Sequence, residues 1–370
     1  MTTERRFVSL SVSLVLFAIA DLASAQTWTQ ASAPSNNWYS VALSADGSKL
    51  FASGSSDTIY ISVDSGATWT PTSMSGFIVA CSADGSKVVV RQGIYTSENS
   101  GATWSLAATF PFYVGAAASS ADGNKIAVLG YRKIYTSTNS GATWTSNTLP
   151  TSLTVLASSA DGTRLVGGGG TLGVVGLMAA STDSGATWNL LDPGQNWWHS
   201  IASSADGRKL AAYGHWGGLI ISTNSGATWT SANLGMIGAQ GYVVSSADGS
   251  KLMAYGWGIF TSSDSGQTWV SNNVPPEIFW YSAASSADGN KLVAVEYGGT
   301  GIWISQSTPG PQLSIARDNA GLTLSWIIPS ANFVLQQSAD LRTADWTEVL
   351  TVPSMNYSNL WHEVVVAPSP

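Results

Sequence analysis

The chain of 370 residues has a single cysteine, three histidines and few charged side chains, which make up 10% of it. One cysteine, Cys81, excludes an internal disulfide framework. It stands where a repeated segment otherwise carries serine, and no base accompanies it, so it reads as a small buried residue rather than a nucleophile. His199, His215 and His362 lack the spacing of a metal-ligand motif, so no metal and no cofactor is expected, a His199–His215 pair joined by a carboxylate being the minor alternative. The scarcity of charge argues against a helical bundle, whose exposed faces need many charged residues. Net charge is −7, a poor electrostatic match for nucleic acid or an anionic membrane. The one long apolar stretch, Phe7 to Ala20, is too short to span a bilayer as a helix.

That stretch follows Arg5 and Arg6 and precedes Ala23-Ser24-Ala25, a small-residue cleavage site of bacterial type. Residues 1–25 therefore read as a secretory signal peptide, and a secreted or periplasmic location is expected. Its removal takes away Glu4 and Asp21 together with Arg5 and Arg6, so the charge stays at −7.

Glycine (38 residues) and tryptophan (17 residues) are abundant and suit tight turns and aromatic-packed strands. Ser-Ala-Asp-Gly occurs seven times, with aspartates Asp46, Asp84, Asp122, Asp161, Asp206, Asp248 and Asp288 spaced 38 to 45 residues apart. A second string, Ser-x-Asp/Asn-Ser-Gly-Ala/Gln-Thr-Trp, follows the first six of them, from Ser62–Trp69 to Ser262–Trp269. The seventh unit ends in Ile302-Trp303-Ile304-Ser305 without that string, and the missing Thr-Trp stands at the other end as Thr27-Trp28.

Each unit of about 40 residues holds four short strands bounded by Asp-Gly and Ser-Gly turns, the pattern of a propeller blade. In the first unit the strands are expected near Tyr39–Ser44, Lys49–Ser53, Thr58–Ser62 and Thr68–Thr70. A four-stranded sheet cannot bury both faces alone, so the units must stack, and a closed ring leaves no exposed end. The reading is an all-β, seven-bladed β-propeller over residues 26–308, with the strand at Trp28 completing the last blade. Residues 309–311, Pro-Gly-Pro, form a linker. Residues 312–370 alternate as strands at Leu313–Ala316, Leu322–Trp326, Phe333–Gln337 and Trp346–Val352. They look like a small β-sandwich module found at the C-termini of secreted bacterial proteins. Such modules finish in a Phe-Tyr-Arg-Leu-like strand, whereas this chain ends Val364-Val365-Val366-Ala367-Pro368-Ser369-Pro370, so an incomplete sandwich is expected.

The second string resembles the Asp-box of sialidases, sortilin-type receptors, xyloglucan-cleaving propellers and photosystem II assembly-factor propellers. These families differ in activity, so the resemblance implies fold rather than function. Its third position is Asp64, Asn99, Asn139, Asp183, Asn224 and Asp264. Asn replaces Asp freely, so these are structural turn residues that accept backbone N–H bonds, not acids or metal ligands. A sialidase-like site needs three arginines, and only Arg91 and Arg132 fall in the loops opposite the repeated turns; Arg164 and Arg208 adjoin the turns themselves.

Those opposite loops vary from unit to unit and are the expected ligand face. They carry Trp38, Tyr39, Phe112, Tyr113, Trp197, Trp198, His199, Trp216, Trp257, Trp280 and Tyr281, with Tyr131, His215, Tyr242 and Tyr297 beside them. Trp38, Trp198 and Trp280 are equivalent, each eight residues before its Ala-Asp-Gly aspartate. Rigid aromatics suit a protein or glycan partner, or else they cap the core of each sheet. Gly167–Gly170 reads as a flexible insertion in one such loop.

Once turn, signal and C-terminal acids are set aside, Asp57, Asp192, Glu277 and Glu296 remain as carboxylates that could flank a glycosidic bond. No complete catalytic site is visible. The leading expectation is a monomeric, non-catalytic binding or assembly scaffold. A glycan-active hydrolase and a purely structural surface protein are the alternatives.

Overall fold

The computed structural model describes residues 26–366 apart from 57, 92–93, 111–113, 172, 217, 233, 235–237, 239, 276–277, 300, 308–312, 319–320, 329–335, 338–346 and 349–351. Residues 1–25, read above as a signal peptide, residues 309–311, read as a linker, and Asp57, Phe112, Tyr113 and Glu277 lie outside the described residues.

The described residues are all β. Within 28–306 they form seven four-stranded antiparallel sheets. The first holds Trp38–Leu43, Leu50–Gly54, Thr58–Ser62 and Thr70–Ser75 in that order. Its outer strand starts at Thr70, two residues later than the sequence implies, because Thr68 and Trp69 still belong to the turn. The last sheet takes Trp280–Ser285, Lys291–Glu296 and Ile302–Gln306 from the end of the repeats and Trp28–Gln30 from their beginning. Trp28 pairs with Ser305, Thr29 with Ile304 and Gln30 with Trp303.

The sheets are closed into a ring by main-chain bonds as well as by packing. The first strands of successive sheets touch, from Trp38–Leu43 around to Trp280–Ser285 and back. At their turn ends, Ala45 N–H donates to Ala83 O (2.7 Å), Ala83 to Ala121 (2.6 Å), Ala121 to Ala160 (2.7 Å) and Ala160 to Ala205 (2.8 Å). Ala205 donates to Ala247 (2.6 Å), Ala247 to Ala287 (2.8 Å) and Ala287 back to Ala45 (2.8 Å). These are the alanines of Ser-Ala-Asp-Gly, all buried. A second circuit comes from the cation three residues after each aspartate. Lys49 Nζ donates to Asp84 O (2.9 Å) and Ser100 Oγ (3.0 Å) of the next sheet, Lys209 Nζ reaches Ser265 Oγ (3.2 Å), and Lys291 Nζ closes onto Gly47 O (2.9 Å).

Both repeated turns lie on one side of the ring and bond to each other. Ser65 N–H donates to Ser48 O at 2.8 Å, and the pattern recurs through Ser225 to Arg208 and Ser307 to Asn290. Inside the longer turn, Ser62 Oγ donates to Asp64 Oδ1 (2.8 Å) and accepts Gly66 N–H (2.8 Å), while Asp64 accepts the Thr68 N–H (2.8 Å) and hydroxyl (2.5 Å). In the Asn copies the amide does the same work, with Asn99 Oδ1 accepting Thr103 N–H and Nδ2 donating to the Thr103 hydroxyl. The serine before each turn glycine is also left-handed (φ 64° at Ser65, followed by φ 94° at Gly66), a strained pair that these side-chain bonds hold in place.

Beyond the ring, Ser314–Asp318, Gly321–Ile327, Trp361–Val366 and Ser354–Asn356 form another four-stranded sheet, and Gln336–Gln337 pairs with Thr347–Glu348. The terminal valines are thus not lost from the sheet: Val364 and Val365 pair with Leu324 and Thr323.

Hydrogen bonds from the Thr68 hydroxyl, the Thr68 N–H and the Ser62 hydroxyl hold the Asp64 carboxyl down at about 2, and the same set from Thr187 and Ser181 holds Asp183 there. A carboxyl depressed in the folded state stabilises above its unfolded pKa, and that contribution is lost as pH falls through the folded value. Wild-type protein should therefore lose stability between about pH 4 and pH 2. Asp64→Asn, which installs the side chain found at Asn99, should keep the melting temperature at pH 7, whereas Asp64→Ala should lower it; equal losses for both would show that charge, not turn geometry, is what matters there.

Candidate functional site

The face opposite the repeated turns is built from the ends of the first strands and from the loops between second and third strands. In three sheets the first strand carries a β-bulge at the same position, between Trp38 and Ser40, between Trp198 and Ser200, and between Trp280 and Ser282, and in the second sheet the bulge falls two residues further on, between Ile78 and Ala80. A bulge inserts one residue and re-aims side chains. Where a tryptophan precedes the bulge it turns inward, and the extra residue, Tyr39, His199 or Tyr281, takes the mouth of the ring.

This corrects the sequence reading of Trp38, Trp198 and Trp280 as ligand platforms. They are at most 2% exposed and wedge against the preceding sheet. Trp38 packs with Val293, Val295 and Ile302, Trp198 with Val166 and Met178, and Trp280 with Met253, Tyr255, Ile259 and Trp28. Gly167–Gly170 is likewise no flexible loop but part of the strand Leu165–Thr171. A Cβ on Gly168 would sit 2.7 Å from the Cβ of Trp198, and one on Gly169 would run into Ser152 O, so the glycines admit the wedge and the neighbouring chain.

The outward residues line up across sheets. Arg91 Cζ lies 4.9 Å over the Phe77 ring, Phe77 is 6.1 Å from Tyr39, Tyr39 is 6.0 Å from Tyr281, and Tyr281 is 5.6 Å from Tyr297. This arc crosses the second, first and last sheets. The sixth sheet continues it with Trp257 against Phe279 (5.4 Å) and Phe279 near Tyr242 (6.4 Å). The fifth sheet carries Trp197, His199, His215 and Trp216 in mutual contact. Trp216, Trp257, Tyr131 and Tyr297 are each more than half exposed. Phe77 was not singled out from sequence, although it sits seven residues before its aspartate, in the register shared by Tyr39, His199 and Tyr281. Between the third and fourth sheets, the same face opens into a cleft of about 650 Å³ lined by Tyr131, Arg132, Ser152, Thr154, Val174 and Val175.

The two candidate carboxylates among the described residues, Asp192 and Glu296, do not come together. Asp192 lies on the outer strand Asn189–Asn196 of the fourth sheet and Glu296 at the end of Lys291–Glu296 in the last, two sheets that are not neighbours. The Cys81 thiol donates to Leu43 O at 3.2 Å, and burial pushes it up to about 12, so it stays protonated.

The turn face is occupied by the C-terminal sheet. Ile328 is fully buried in the same cluster as the seven ring alanines, with Ile327, Met355 and Leu360 packed around it. Tyr357 lies close enough to Asp84 and Asp122 that their charge adds to burial in raising its phenol. His362, stacked on Trp326 at 5.8 Å, feels Asp46, although burial outweighs that charge and leaves the imidazole below its ordinary value.

No protein-family model and no curated protein matches the chain. Solved structures do. "YCF48 bound to D1 peptide" has a TM-score of 0.57 at 14% identity over 78% of this chain and 98% of that one. "YCF48 from Cyanidioschyzon merolae" has a TM-score of 0.58 at 15% identity over 76% of this chain and 98% of that one. The likeness establishes a β-propeller fold.

Each wedge indole can bury roughly 150–250 Å². Trp280→Ala should cost about 3–5 kcal/mol in chemical denaturation. A loss below about 1 kcal/mol would mean that the indole is not an inter-sheet wedge.

Proposed function

We propose that this chain is an exported, seven-bladed Asp-box propeller that works as a binding or assembly scaffold, holding a segment of a partner protein on its variable-loop face. The observation that carries the reading is the one-sided availability of the ring. Ile328 and the sheet around it cover the turn face, while the opposite face keeps exposed aromatics in an arc beside a cleft. A contact surface of rigid aromatics that is already ordered keeps the entropic cost of binding low. The exposed strand-and-loop walls of the cleft, with Arg132 at the rim, fit an extended peptide better than a globular surface. A fold neighbour carries a peptide, which favours a peptide over a glycan as the ligand class.

Peptide and glycan arrays probed with the mature protein, alongside a hydrolysis screen, test this. A selected peptide should bind at least tenfold more weakly to Tyr281→Ala and Tyr297→Ala, and unchanged to Val63→Ala on the turn face. Binding lost only in the turn-face variant, or turnover of an arrayed glycan, would overturn the proposal.

A further inference from the structure

We propose that His199 and His215 form a two-imidazole site for a borderline divalent transition ion, copper(II) foremost. His199 is the bulged residue at the mouth of the fifth sheet, and His215 stands in the loop after that sheet's second strand, Leu210–Gly214. Sixteen residues apart in sequence, their rings come together with His199 Nε2 3.1 Å from His215 Nδ1. Two nitrogens at that separation, each about 2.0–2.1 Å from one ion, subtend roughly 95–100°. This lies between the tetragonal and tetrahedral angles that copper(II) and zinc(II) adopt with imidazole.

The site is held from behind. Asn196 is buried, and its Oδ1 accepts the N–H of Trp197 (2.9 Å) and of Trp216 (3.1 Å), which ties the two histidine-bearing segments together. His215 N–H donates to Trp197 O at 2.9 Å. A side chain on Gly214 would strike the Asn196 amide, so the close approach depends on that glycine. Trp197 stacks on His215 at 5.0 Å and 16°, and Trp216 closes the other side at 5.0 Å.

Both rings can present a lone pair. The hydrogen bond between the two ring nitrogens already requires one of them to accept with a bare lone pair, the form that binds metal. In the neutral pair one proton lies between the two facing nitrogens. An ion takes its place when one ring moves that proton to its far nitrogen, so that His199 carries it on Nδ1 and His215 on Nε2, with no net proton released. Among the described residues no third histidine, cysteine or carboxylate joins the pair, so the other positions on the ion go to water or to a donor brought by a ligand. Two protein ligands imply a weak, exchangeable ion rather than a structural one.

The test is calorimetric titration of tag-free mature protein with copper(II), nickel(II) and zinc(II), together with electron paramagnetic resonance of the copper form. One equivalent should bind, tightest for copper, with nitrogen couplings from two imidazoles. His199→Ala and His215→Ala should each weaken binding at least tenfold, and His362→Ala should leave it unchanged. His215→Gln keeps the size of the side chain and should also lose the ion while retaining the wild-type melting temperature, which separates ligation from folding. Absence of binding, binding unchanged in the His199 and His215 variants, or a copper spectrum without two imidazole couplings would overturn the assignment.

Discussion

The closed circuit of main-chain bonds through the seven alanines is the constraint on which the rest of the structure depends. Each alanine N–H points to the carbonyl of the next sheet, all in one sense around the ring, so every buried peptide at the axis is satisfied by a neighbour rather than by its own sheet. That requirement fixes how close the first strands approach. The small methyl groups converge there around Ile328, which gives a residue that looks like turn filler a packing role in every unit. The lysines and Arg164 three residues past each aspartate repeat the logic at a larger radius, each reaching one sheet forward.

Once the ring is closed, its two faces take different roles. The turn face is uniform, and its polar groups are largely engaged within the turns and by the cations, while its axis accepts Ile328 from the C-terminal sheet. The opposite face has no such repeated bonding, so its loops differ in length and content. That asymmetry is why bulges, exposed rings, the cleft and the histidine pair all occur on one side of the molecule.

Much of the fold was legible because it is written as a repeat. Strand order, turn positions and the pairing of Trp28 with the strand at Trp303 follow from spacing and from one displaced Thr-Trp. What sequence could not give was the direction of single side chains. Strand alternation assigns Trp38 and Tyr39 to opposite faces, but a bulge between Trp38 and Ser40 decides which of them is outside, and nothing in the residue types marks the extra residue. Gly167–Gly170 misled for a related reason: glycine in a strand permits close approach as readily as it permits flexibility, and the partner that approaches, Trp198, lies in another unit. His199 and His215 have no motif spacing because the link between them, Asn196, is an amide lying before the first of them.

The strand Trp28–Gln30 has a consequence in time. It is synthesised first, yet its partner, Ile302–Gln306, lies some 270 residues downstream. While the chain emerges, the earlier sheets can stack on one another in order, but the last cannot be completed until its third strand has appeared. Trp28–Gln30 must wait unpaired, and the wheel locks only when it meets Ile302–Gln306. A strand of three residues offers little edge for a wrong partner during that wait.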